Sequence, residues 1–197
     1  MRINHVLIDL ENVQPASLVG LDADFFHVTV FVGASQTKIP FELANAVQKF
    51  GARASYIKIS GNGSNALDFH IAYYIGKLVQ QDPTAYFHII SKDAGFDPLI
   101  QHIKAQKVGI ARSKDIGDIP LLKAANSNTL QEKVAVVIAN LRQRGASRPR
   151  TVKTLSSTIL SLFQKQLPSE ELAMLLTELQ STGVITINES KVSYALP

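Results

Sequence analysis

An α/β fold built on a mostly parallel sheet, followed by a small helical unit, is what the order of apolar segments predicts. Five short apolar runs alternate with segments whose apolar residues recur three and four apart, and the strand signal stops beyond Ile119. Strand-helix alternation puts helices on both faces of a sheet through right-handed crossovers. Ligands of such sheets sit at the carboxyl ends of the strands, where the strand order reverses.

The predicted strands are NHVLIDL (4–10), HVTVFVG (27–33), ASYIKIS (54–60), AYFHIIS (85–91) and KVGIAR (107–112). Between them, FELANAVQKFG, ALDFHIAYYIGKLVQQD and DPLIQHIKAQ have the helical period, two of them ending near Gly or Asp-Pro. Further on, SNTLQEKVAVVIANLRQRG reads as an amphipathic helix closing at Gly145. A basic connector (SRPRTVK), the helices TLSSTILSLFQKQL and PSEELAMLLTELQSTG, and a hairpin around Asn188-Glu189-Ser190 complete the chain. We expect two domains, residues 1–127 and 128–197, the second a helical, winged-helix-like module.

Composition narrows the function classes. At 46% hydrophobic and 18% charged residues the 197-residue chain is globular, and without cysteine it has no thiolate metal site, disulfide or cysteine nucleophile. The opening apolar stretch is broken by Asp9 and Glu11, so neither a signal peptide nor a membrane span is expected, which suits a cytoplasmic protein. Net charge is +4. Residues 1–128 are almost neutral, while 129–197 hold eight Lys/Arg against five Asp/Glu, a modest excess compatible with a polyanion.

The informative residues are acidic. Asp9 ends the first strand in IDLEN, and Asp93 and Asp97 follow the fourth in SKDAGFDPLI; each also suits a turn or helix cap. Asp68 is more telling. It sits among Leu67, Phe69 and Ile71 on a helix expected to pack on the sheet, where carboxylates rarely settle unpaired. With the first strand central, Asp9, Asp68, Asp93 and Asp97 meet in one cleft. Clustered carboxylates repel, and a divalent cation relieves them; oxygen ligands without cysteine or suitable histidine spacing favour Mg²⁺ or Mn²⁺ over Zn²⁺. Such ions support hydrolysis of phosphodiesters.

Three blocks, I-D-L-E-N (8–12), N-A-L-D-F (65–69) and S-K-D-A-G-F-D-P-L (91–99), resemble the PIN-like nuclease superfamily, particularly its NYN-type branch and related bacterial PIN-like proteins. The resemblance covers about residues 3–115. It implies a PIN-like sandwich and a metal-dependent endonuclease acting on RNA more than DNA, with Asp9, Asp68, Asp93 and Asp97 as catalytic metal ligands. Asn12 matches a polar residue that supports the first acid, and Glu11 stands where NYN-type proteins often carry Asp; we count Ser91 and Asn65 as further supporting residues of these blocks. The alternative within the same fold is a catalytically inactive adaptor for nucleic acid or protein.

A rival lies in SGNGSNA: Gly61, Gly63 and Ala66 satisfy the spacing of a dinucleotide-binding loop, although Asp68 would put negative charge where a pyrophosphate binds. Lys38, Lys92 and Arg112 are expected at the carboxyl edge as phosphate contacts, with Lys58 and Lys114 as weaker ones. Arg148 and Arg150 belong to a basic strip that also contains Arg142, Arg144 and Lys153. The helix with Glu170, Glu171 and Glu178 carries no base, which favours protein contact or self-association over groove binding. The five histidines are expected in packing or surface roles.

Overall fold

The computed structural model describes residues 2–15 and 17–196, and the chain divides between Asp118 and Ile119. The first unit contains β1 (Asn4–Asp9), β2 (Phe26–Val32), α1 (Phe41–Lys49), β3 (Ala54–Lys58), α2 (Ala66–Gln81), β4 (Tyr86–Ile90), α3 (Asp97–Ala105) and β5 (Gly109–Ser113). All five strands pair parallel in the order β3-β2-β1-β4-β5. The order reverses between β1 and β4, as the central first strand requires. Among the described residues between β1 and β2 there is no helix.

The sequence of β1 explains its place. Val6, Leu7, Ile8 and Asp9 are all fully buried, and a strand flanked by parallel partners and covered on both faces must be apolar in both registers. Leu7, Phe31, Phe87, Ile89 and Ile110 form one cluster with Leu67, Ile71 and Ile75 of α2 and with Ile100 and Ile103 of α3. The alternate residues Val6, Ile8, Val30 and Ile90 are buried too. Because side chains alternate along a strand, Asp9 shares the face of Leu7, which is the face α2 and α3 cover.

One polar pair crosses the opposite face. Asn4 Oδ1 lies 3.0 Å from Nε2 of His88, while among the described residues His88 Nδ1 has no partner. Burial, reinforced by the nearby positive charge of Arg2, pushes the His88 imidazole down to about 3, so it is neutral at physiological pH.

The second unit has its own core. It comprises α4 (Pro120–Ala125), α5 (Leu130–Arg144), α6 (Val152–Leu162), α7 (Ser169–Ser181) and the antiparallel hairpin β6 (Ile185–Asn188) and β7 (Lys191–Tyr194). Thr129 and Thr151 cap α5 and α6 through reciprocal bonds with Glu132 and Thr154. Thr151 also bridges to Lys191, giving the hairpin a short third member. The division lies ahead of the expected 127/128 boundary because α4 joins this core: Ala124 is buried in one cluster with Val137, Leu141, Leu155, Leu175 and Leu179. Among the described residues no helix is long and apolar enough to cross a membrane.

Candidate functional site

The carboxyl ends of β1 and β4 lie side by side, and the loops beyond them carry the acidic residues. Asp9 is fully buried and fully bonded. Its Oδ1 accepts the backbone N–H groups of Glu11 (3.2 Å) and Asn12 (3.1 Å), and its Oδ2 accepts Asn12 Nδ2 (2.7 Å) and the Ser91 hydroxyl (2.7 Å). Four donors match the four lone-pair sites of a carboxylate. Asn12 and Ser91 therefore hold Asp9 in place. Ser91 Oγ also accepts the backbone N–H of Asp93 at 3.0 Å, tying the loop after β4 to β1.

Asp93 starts a short turn, and its Oδ1 accepts the N–H of Gly95 at 2.7 Å. Asp68 lies in the first turn of α2, half-buried, with no hydrogen bond or ion pair among the described residues. Burial raises its carboxyl first, and the charges of Asp9, Asp93 and Glu11 raise it further, to about 6. Every charge identified as acting on it is negative. Glu11 itself lies over Gly33 at the end of β2, where an added Cβ would overlap its carboxylate. The glycine after the apolar run of β2 is the sequence signal for that space, and spacing alone does not mark it as part of the site.

Asp97 differs from expectation. Its two oxygens accept Nε and Nη2 of Arg112 at 2.9 and 3.0 Å, and this pairing is the main cause holding its carboxyl below the usual range. Arg112 also donates to the Ser91 carbonyl at 3.3 Å, so it links β5, α3 and the end of β4 rather than standing ready for a phosphate. The helix α3 starts at Asp97 and packs on β5, which brings an acid and a guanidinium fifteen residues apart into bidentate contact. The four-acid shell is thus reduced: Asp9 is saturated and Asp97 is paired. Among the described residues no three acidic or histidine side chains are close enough together to hold a metal ion.

Donor chemistry still fits a hard cation. The carboxylates of Asp68, Asp93, Glu11 and Asp9 offer oxygen alone, and no positive side chain is identified as offsetting Asp68. Asp68, and the Oδ2 of Asp93, which accepts no bond among the described residues, are the oxygens available to an ion. Lys92 is exposed directly between Ser91 and Asp93, and Lys38 is exposed in the loop after β2. Lys58 instead donates to the Gln36 carbonyl, and Lys114 is exposed beyond β5. Asn65 precedes α2 in the left-handed region (φ 60°) and makes no side-chain cap. In the second unit Arg150 is exposed, while Arg148 donates to the Leu141 carbonyl at 2.9 Å and lies 5.8 Å from the Tyr194 ring centre.

A family model described as PIN domain matches residues 3–113, from the start of β1 to the end of β5. The chain belongs to the PIN domain family. No curated protein and no solved structure matches it significantly. The match accounts for the five-stranded parallel sheet and gives this PIN domain a nuclease-type fold, of a kind generally dependent on divalent metal. It also displaces the dinucleotide reading of Gly61, Gly63 and Ala66: the helix that a pyrophosphate would need bears Asp68 in its first turn, facing three more carboxylates.

Proposed function

We propose that the protein is a divalent-metal-dependent endonuclease of the PIN type that hydrolyses phosphodiester bonds in RNA, with a winged-helix-like second unit that recruits substrate or a protein partner. One observation carries the reading. Asp68 lies half-buried in the first turn of α2 with no hydrogen bond or ion pair among the described residues, the charges of Asp9, Asp93 and Glu11 act on it and raise its carboxyl, and a site that accumulates negative charge in this way suits a bound cation.

Asp68 and Asp93 would hold Mg²⁺ or Mn²⁺, with buried Asp9 and with Glu11 over Gly33 completing the negative field. When bound, such an ion supplies a Lewis acid for the phosphoryl oxygen and lowers the pKa of water. The chain's residues prepare the rest. Asn12 and Ser91 fix Asp9 so that its charge cannot swing away, and Ser91 positions the Asp93 backbone through the same hydroxyl. Lys92 and Lys38, exposed at this edge, offer cations to the substrate backbone. Arg112 keeps Asp97 and α3 in register with the loop. The cysteine-free composition suits a cytoplasmic setting.

The test is cleavage of labelled single-stranded RNA by the full chain in Mn²⁺. We expect activity that disappears in EDTA and falls by about 10²-fold or more in Asp93→Asn, a variant that keeps the loop's size and polarity. A binding-only adaptor is favoured by the saturation of Asp9 and the absence, among the described residues, of a ready three-sided metal group. RNA binding without cleavage in any divalent metal would establish that reading instead.

A further inference from the structure

The outer face of α2 carries what the acidic site does not use. Phe69 is 69% exposed and Tyr73 is 64% exposed, two of the few large apolar side chains in the described structure that face solvent. They stand at i and i+4, so they are neighbours on one helical face, about 6 Å apart along the axis. The buried stripe of the same helix is Leu67, Ile71 and Ile75, so the aromatic pair lies away from the core. Phe69 follows Asp68 directly, which starts this stripe at the edge of the acidic site.

Three further features say what covers it. Tyr73 is held edge-on against Tyr74 at 5.4 Å, and Tyr74 in turn packs edge-on against buried Phe31, so the exposed ring is braced by the core. Gly76 lies one helical step beyond, exposed, and a Cβ built there meets nothing within 4 Å. Glycine in a helix interior weakens the helix, so an exposed one a turn beyond Tyr73 leaves the surface open there at a cost in stability. Lys77 is exposed four residues after Tyr73 and supplies a cation, and Asp68 is the only acid in the helix. Flat rings, an open surface beside them and a cation nine residues from the helix's one carboxylate match an unpaired nucleic-acid strand, whose bases stack on aromatic side chains and whose backbone is anionic.

We propose that Phe69 and Tyr73, with the open surface at Gly76 and the Lys77 cation, form a base-stacking platform that seats single-stranded RNA beside the acidic site. This rests on the nuclease reading for its substrate and deepens it: the platform selects unpaired over duplex RNA, whose bases have no free face.

The experiment measures binding apart from cleavage. The full chain, in Mn²⁺, is titrated into a fluorescent, cleavage-resistant phosphorothioate oligouridine, into the same strand with abasic sites, and into a duplex. Because the chain has no tryptophan, tyrosine emission gives a second signal of ring contact. Wild type should bind the base-bearing strand most tightly. Phe69→Ala and Tyr73→Ala should each weaken that binding roughly 5- to 100-fold while leaving abasic binding unchanged, and Phe69→Tyr should restore it. Gly76→Gln separates folding from binding: a better helix former at an exposed site should raise Tm, yet by placing a side chain on the open surface beside the rings it should weaken oligouridine binding several-fold.

Equal affinity for base-bearing and abasic strands, or unchanged affinity in both alanine variants, overturns the platform. So does a loss confined to self-association in sedimentation, which would assign the stripe to a second copy of this chain. If the alanine variants lose oligouridine while no form cleaves RNA, the platform stands and the nuclease reading fails. Cleavage with unaltered binding in the variants does the reverse, removing the platform and keeping the nuclease.

Discussion

Two helices of the first unit begin in the same way and end up electrostatically opposite. Both α2 and α3 follow a strand of the parallel sheet, and both carry an aspartate in the first turn, Asp68 and Asp97. Asp97 meets the fork of Arg112, which holds its carboxyl below the ordinary range. Asp68 meets Asp9, Asp93 and Glu11, and stands at about 6. Position in a helix does not decide whether a carboxylate is structural or available. The partner that tertiary packing supplies decides it.

The largest effect that separates the two should be catalytic. In Mn²⁺-dependent RNA cleavage, Asp68→Asn should cost about 10²-fold or more, whereas Asp97→Asn, once its lower stability is allowed for by working well below its Tm, should cost less than about tenfold. The same pair of variants has a readout independent of turnover. Mn²⁺ should raise the Tm of wild type and of Asp97→Asn, since an ion that binds only the folded form stabilises it, and should leave Asp68→Asn unmoved. Equal loss of the Mn²⁺ response in both variants would return Asp97 to the metal site.

Next in size is the stability that Asp97 provides. Replacing Arg112 with Met, or Asp97 with Asn, should each lower stability by about 1 kcal/mol, because the pair is charge-assisted and bidentate but half-exposed on the acid side, where water screens it. The double variant should lose little more than either single one, as expected for residues sharing one interaction. Urea denaturation of the four proteins checks this, and strict additivity would show that the contact carries no coupling.

The smallest effect should appear in pH dependence, with opposite signs at the two helices. The folded protein holds the Asp68 proton more tightly than the unfolded chain, so this residue favours folding at low pH and ceases to do so as pH rises from about 4 through 6. Asp68→Asn should therefore raise Tm at pH 7.5 by about 2–4 °C, the shift that roughly 1 kcal/mol of screened repulsion produces, and should leave it unchanged near pH 4. Asp97 behaves inversely: its contribution is present above the carboxylate's unfolded pKa and is lost as pH falls through its lowered folded value. A Tm gain for Asp68→Asn that is the same at both pH values would remove the charge-repulsion account.

Much of this is legible in the chain. The runs that form β1 and β4 belong in the centre of the sheet because Val6, Leu7 and Ile8, like Ile89 and Ile90, leave neither face polar; the period of ALDFHIAYYIGKLVQQ places Asp68 at the start of a packed helix. IDLEN and SKD each give an acid with its supports, since Asn12 lies within a tight turn of Asp9 and Ser91 directly follows the adjacent strand β4. The Asp97–Arg112 pair is not legible. It depends on how α3 lies against β5, and no spacing in sequence specifies that contact. The saturation of Asp9 escapes for a similar reason, because two of its four donors are backbone N–H groups that carry no residue code. The domain boundary differs because α4 is a short helix whose apolar residues do not say which core they join.

The neutral imidazole of His88 has a consequence for acid tolerance. Folding keeps this ring unprotonated down to about pH 3, whereas the unfolded chain protonates it near 6.5, so acidification below 6.5 draws the molecule towards the open form. Asp68 takes up a proton over the upper part of the same interval and pulls the other way. The two proton uptakes offset between about pH 6 and 4; below that interval, with Asp68 neutral in both forms, His88 and the protonation of Asp97 away from Arg112 steepen the descent together.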